Sequence, residues 1–216
     1  MDNIKDLYIL GLPIDTPVGK LYPVKVHEYP AFIQHINTLV LDKGTLMYTI
    51  KQLVSVDDGF QLVLDVIKEL DLFDFIKFFM EDDFKGTFPY ILCVDLYEQH
   101  RELFKFCFKK DVINLIEKSK DFEFYKKTII EMNDIQYEPL NPNPKIAKFD
   151  LLKRMMQQGK GEQLSFKAKY SSVLLFMGKY AKDLTLYQFN ALFERIGYFK
   201  NYDITSIYRI LDDKVD

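Results

Sequence analysis

Apolar residues along the chain change their period. Between residues 7 and 26 they come in short extended runs, Leu7-Tyr8-Ile9-Leu10 and Leu21-Tyr22-Pro23-Val24-Lys25-Val26, separated by Gly11, Pro13, Asp15, Pro17 and Gly19. Runs bounded by turn formers predict a β-hairpin or two short strands, and Pro23, with no N–H for a ladder, suits an edge strand. From Tyr29 the period becomes three and four. Phe32, Ile33, Ile36, Leu39 and Val40 predict an amphipathic helix with Pro30 in its first turn. A second helix is expected over 45–53. A third, capped by Asp57 or Asp58, would turn Leu62, Val63, Val66, Ile67 and Leu70 inward. In residues 72–80 the apolar side chains cover more than one helix face. This piece is therefore deeply buried or lies against a partner, and burial in the chain's own core is the commoner outcome. Residues 88–108 predict a long helix with a polar patch from Glu98 to Glu102, residues 109–118 fit a strand or a helix end, and Phe122, Tyr125, Ile129 and Met132 mark another helix.

Pro139, Pro142 and Pro144 then interrupt the pattern. Each restricts its predecessor to extended geometry, so residues 139–144 read as a linker between units 1–138 and 145–216, with fewer contacts across it than within either side. Beyond it, Asn143 and Pro144 open a helix carrying Ile146, Phe149, Leu152 and Met156 and stopped by Gly159. Ser165 caps a second with Tyr170, Val173, Leu174 and Met177 on one side. Thr185 and Gln188 form a capping box for a third, with Leu186, Phe189, Leu192, Phe193 and Ile196 inward and Gly197 just past its end. The fold class expected is mainly α (α+β): an N-terminal β-hairpin or short strands, a multi-helix domain, and a C-terminal three-helix subdomain.

Composition narrows the function classes. With 29 basic and 32 acidic residues in 216, the net charge of −3 supplies no general attraction for nucleic acid. Every apolar run is broken by Asp, Glu or Lys, short of the roughly 18 residues of a membrane span. No signal-like leader opens the sequence, so a soluble protein of a reducing cytoplasm is expected. Cys93 and Cys107 lie in apolar aromatic segments and read as buried hydrophobes.

No catalytic constellation emerges. His27, His35 and His100 are far apart and lack a second ligand at zinc-motif spacing. Gly159-Lys160-Gly161 lacks the flanking pattern of a phosphate loop. The pairs and triplet at Asp57-Asp58, Glu81-Asp82-Asp83 and Asp212-Asp213 sit at expected helix ends, where capping or solvation accounts for them. Neither cofactor nor metal is expected, and the chain reads as a non-enzyme. The 19 Phe and 14 Tyr mostly serve a core, yet aromatics left on a surface carry binding energy.

Two stretches resemble a known family. Gly19-Lys20-Leu21-Tyr22-Pro23, leading into Tyr29-Pro30-Ala31-Phe32, is similar to an N-terminal strand and helix start found in proteins of phage and prophage tail-morphogenesis regions of Gram-positive bacteria. Met177-Gly178-Lys179-Tyr180, Leu184-Thr185-Leu186-Tyr187-Gln188-Phe189, Phe193-Glu194-Arg195-Ile196 and Lys200-Asn201-Tyr202-Asp203-Ile204-Thr205 resemble the family's C-terminal pattern. The resemblance implies a tail assembly chaperone that binds the tape-measure protein in the host cytoplasm before the tail tube polymerises. The alternative is a structural virion component, a tail or head-completion protein, and a small enzyme is a third reading. A protein partner is thus expected, with no nucleic acid and no membrane, and self-association stays open. Candidate partner-binding residues are Phe75, Phe78 and Phe79 of the aromatic segment, and Tyr187, Arg195 and Tyr202 near the C-terminus.

Overall fold

The N-terminal segment contains the expected hairpin, preceded by an element the sequence reading assigns differently. In the computed structural model, which describes residues 4–54, 58–135 and 165–212, the side chains of 58, 59 and 202–212 excepted, Ile4–Leu10 is a helix (α1) rather than a strand. Ile4, Leu7 and Tyr8 stand at helical spacing and face the core, whereas the run 7–10 taken alone is too short to reveal a period. Gly11, at φ 68°, ends α1: Leu12 N donates to Leu7 O (3.0 Å) and Gly11 N to Tyr8 O (3.1 Å), the paired closure that favours glycine at this position. β1 (Ile14–Thr16) and β2 (Gly19–Leu21) then pair antiparallel, with Thr16 opposite Gly19 and Ile14 opposite Leu21. Residues 22–25 run on from β2 without joining that sheet, and Val26–Glu28 then forms a 3-10 turn. Tyr22 N donates to Cys107 O and Val24 N to Asn133 Oδ1, so the missing N–H of Pro23 falls between two anchored donors.

The helix begun at Tyr29 is built in three pieces. α2 (Tyr29–Phe32) and α3 (Ile36–Val40) are joined by one 3-10 turn, and Phe32 and Leu39 are buried. α4 (Lys43–Leu53) starts two residues before the expected Thr45 because Asp42 caps it, accepting from Thr45 N at 2.9 Å. In α5 (Asp58–Val66) the inward residue is Leu64, followed by Ile67 in the next turn. Leu62 and Val66, expected inward, are exposed. The proposed cap at Asp57 lies outside the described residues. Asp71 caps α6 (Leu72–Phe79) by accepting from Asp74 N.

α7 (Phe88–Phe108) has the expected boundaries. Thr87 caps it, Pro89 occupies its first turn, and Lys109 ends it in the left-handed region. Cys93, Leu96, Leu103, Phe104, Cys107 and Phe108 form a buried stripe along it, and α3, α4, α6 and β2 all pack on this helix. His100 belongs to the same stripe, so the expected polar patch is interrupted by a buried imidazole. The ambiguous residues 109–118 resolve to a helix, α8 (Ile113–Ser119), followed by α9 (Phe122–Met132).

The linker 139–144, and the helix expected from Asn143 to Gly159, lie outside the described residues. α10 (Phe166–Met177) is capped by Ser165 as expected. α11 (Leu186–Asp212) opens with the Thr185–Gln188 capping box, its two hydrogen bonds at 3.0 and 3.2 Å. It does not stop at Gly197. A glycine inside a helix costs about 1 kcal/mol, which its neighbours absorb, and here the backbone stays helical through it. Val173, Ala181, Leu186, Phe189 and Ile196 join the hydrophobic core of the N-terminal helices. Lys25 and Thr185 form a β-bridge, flanked by Val26 N donating to Leu184 O (2.9 Å) and Leu186 N to Val24 O (2.8 Å).

Candidate protein-interaction surface

The six candidate residues separate into two groups. Phe75 and Phe79 are fully buried, which removes them from any surface contact in this fold. Their rings meet edge to face at 5.2 Å, and Phe79 also touches Phe84 (5.0 Å) and Phe60 (6.2 Å). On the same helix, Phe73 stacks on Phe122 at 4.5 Å. The several apolar faces of α6 thus meet α5, the turn at Phe84, and α9. Phe78 is half-buried and held by Phe79 and Phe84. This cluster is a packing device.

The second group shares α11. Leu186, Phe189 and Ile196 are buried, with Leu192 and Phe193 half-buried beside them. Tyr187 is half-buried at the flank, its ring 5.9 Å from that of Tyr8. Arg195 is exposed, and at three and four positions beyond it Tyr198 (74% exposed) and Phe199 (69%) stand on the same side of the helix. Tyr202 is seven positions beyond Arg195 on this continuous helix, and its side chain lies outside the described residues. On α10, Leu175 (85% exposed) and Phe176 lie outward, and Tyr180 follows in the next turn, also exposed. The periodic reading misses Tyr198 and Phe199 because it ends the helix at Gly197. The one signal for them is an adjacent aromatic pair beyond the last inward residue.

Arg195, Tyr198 and Phe199, on one side of α11, have the composition of a protein-binding patch, since Tyr and Arg dominate interface energies when partly desolvated. Nucleophilic chemistry finds less support. Burial pushes both thiols, Cys93 and Cys107, up to about 12, so neither ionises near neutrality, and both are free. Among the described residues no group of three His, Cys, Asp or Glu side chains could hold a metal ion, and no helix is long and apolar enough to cross a membrane. Residues 2–142 match the YomV N-terminal domain. The chain belongs to that family. The match takes in α1 through α9 and ends inside the proline-rich tract, so the exposed residues of α10 and α11 lie beyond the YomV N-terminal domain itself. Over its whole length the chain is also similar to the SPbeta prophage-derived uncharacterized protein YomV of Bacillus subtilis strain 168. The two are 24% identical over 220 residues, covering 100% of this chain and 86% of that protein. These relations make it a phage or prophage protein. No solved structure matches it.

Proposed function

We propose that the protein is a non-enzymatic tail assembly chaperone that holds the tape-measure protein in the host cytoplasm during tail morphogenesis. The observation that carries this reading is the outward face of α11, where Arg195, Tyr198 and Phe199 stand together beyond the last buried residue, Ile196. Its prophage relative supports a phage setting, and the resemblance of both ends of the sequence to tail-morphogenesis proteins favours a tail role. An elongated partner made of apolar helices needs its stripe covered until it assembles, and rigid aromatics cover such a stripe at low entropic cost.

Co-expression with the tape-measure protein of the same phage, followed by affinity capture, tests the proposal. Capture is expected from the wild type and at least tenfold less from the double variant Tyr198→Ala, Phe199→Ala with its thermal midpoint unchanged. Mass spectrometry of purified particles should then find no copies of this chain. Stoichiometric presence in particles would replace the chaperone by the virion-component reading.

A further inference from the structure

Two exposed helix sides, distant in sequence, match one another. On α5 and the turn that continues it, Leu62, Asp65, Val66 and Glu69 are all exposed and stand at i, i+3, i+4 and i+7, so they share one side. On α10, Lys167, Ser171, Leu174 and Leu175 are likewise exposed, at i, i+4, i+7 and i+8. We propose that these two sides form a contact between copies of this chain, α10 of one copy packing antiparallel on α5 of another.

Each side leaves two aliphatic residues in water, and its charged positions are of opposite sign to those of the other. Leu62 to Glu69 and Lys167 to Leu174 are both seven positions, about 10 Å along a helix axis. Laid antiparallel, the two spans come into register: Leu174 and Leu175 reach Leu62, and Lys167 faces Glu69. Parallel packing would set each of these charges against a leucine. Ser171 then lies beside Asp65 and Val66, its hydroxyl already satisfied by donating to Lys167 O at 2.9 Å.

The surroundings of each side keep its sign. From Asp58 to Asp83 the chain has eight acidic residues and two lysines, and one of these lysines, Lys77, is paired with Glu117. Lys43, which donates to the carbonyls of Lys68 and Leu70, is offset by its neighbour Asp42. From Ser165 to Lys182 there are four lysines and no acid. Lys169 lies over the Phe193 ring at 5.5 Å and near Asp134, and Asp183 offsets one of the other three, so a positive excess remains. No ion pair among the described residues uses Lys167 or Glu69. Exposed charge pairs add little attraction and mainly select the orientation, while the four aliphatic residues supply the burial. A second copy is the occupant that supplies both complements at once, because the acidic side and the basic side belong to one molecule.

Sedimentation equilibrium of the full chain tests the contact. The weight-average mass should rise above the 25.6 kDa of one copy as concentration increases, and added salt should weaken the association. Leu175→Glu should weaken it at least about tenfold, with the thermal midpoint unchanged. Lys167→Glu puts an acid in the first turn of α10 and Glu69→Lys a base at the end of the α5 segment, changes that the helix dipoles favour, so both variants should stay folded. Each alone should weaken association about fivefold, and the two together should restore it to within about twofold of wild type. A single-copy mass at every concentration, unchanged association in Leu175→Glu, or a double variant no stronger than either single would each overturn the proposal. None of these readouts involves the tape-measure protein or the residues Arg195, Tyr198 and Phe199.

Discussion

α7 and α11 are the two longest helices among the described residues, 21 and 27 residues, and they treat their apolar positions differently. Along α7 the stripe from Cys93 to Phe108 is buried throughout, and even its histidine is enclosed. Along α11 burial stops at Ile196, and the next five residues, 197–201, are all exposed. The difference lies in what surrounds each helix. α7 is covered by α3, α4, α6 and β2, whereas α11 meets the rest of the fold through its first three turns, against α1 and α10. The same residue types are therefore buried in one helix and left exposed in the other.

The widest separation between the helices should come from paired truncations. Phe104→Ala empties a fully buried site, where loss of a large aromatic costs about 3–5 kcal/mol, and urea unfolding should register it. The matching Phe199→Ala should stay within about 0.5 kcal/mol of wild type, as exposed substitutions do. A comparable loss at both would mean that α11 is covered over its distal half.

His100 gives a second contrast, one that acid should bring out. Its Nδ1 meets Leu96 O at 2.7 Å, its ring lies 5.0 Å from that of Phe122, and burial lowers its pKa to about 4. The unfolded chain takes up this proton near pH 6.5, the folded one only near pH 4. The neutral ring's contribution is therefore complete above about pH 6.5 and is lost as pH falls toward about 4, on the order of 3 kcal/mol in all. Denaturant midpoints measured across that range should fall for the wild type, and His100→Gln should flatten this part of the slope. An equal slope in the variant would assign the acid sensitivity to other groups.

A smaller effect belongs to the root of α11. Gln188 accepts from Thr185 N and donates through Nε2 to Ile9 O at 2.9 Å, so Gln188→Ala removes a cap and a long-range tie together. About 1–2 kcal/mol should be lost in thermal unfolding, with capture by the distal face retained. Replacing both Cys93 and Cys107 by Ala, which leaves the α11 face untouched, should likewise cost stability alone, about 1–3 kcal/mol, and leave capture intact. Loss of capture in a folded double variant would tie the thiols to binding.

Much of this architecture was legible from periodicity and caps. The boundaries of α7, the Ser165 cap and the Thr185–Gln188 box follow from short-range chemistry, which needs no knowledge of the tertiary fold. Errors arose where long-range packing chose between locally equivalent options. Leu7-Tyr8-Ile9-Leu10 suits a strand until Ile4 and the closure at Gly11 are included. In α5, Leu62 and Val66 fit the inward face by spacing, yet the core takes Leu64 instead, while Ile67 in the next turn is buried as expected. Gly197 resembles a helix stop, yet nothing lies within 4 Å of where its Cβ would stand, so no neighbour constrains that position. The exposed face of α11 was half legible. Arg195 was visible as an outward position, but which aromatics are left uncovered depends on what the other helices reach.

The bond from Gln188 to Ile9 spans 179 residues, and the bridge of Lys25 to Thr185 nearly as many. On the ribosome the chain emerges from its beginning, so α1 and the extended segment after the hairpin exist long before the residues that close over them. At about 5–20 residues per second, that wait is about 10–35 s. Tyr8, Val24 and Val26 stay without their final neighbours for the whole interval, until residues 184–188 at the root of α11 close over them. Such high sequence separation also sets a slow entropic step in refolding, because the ends must meet before any contact between them repays the closure.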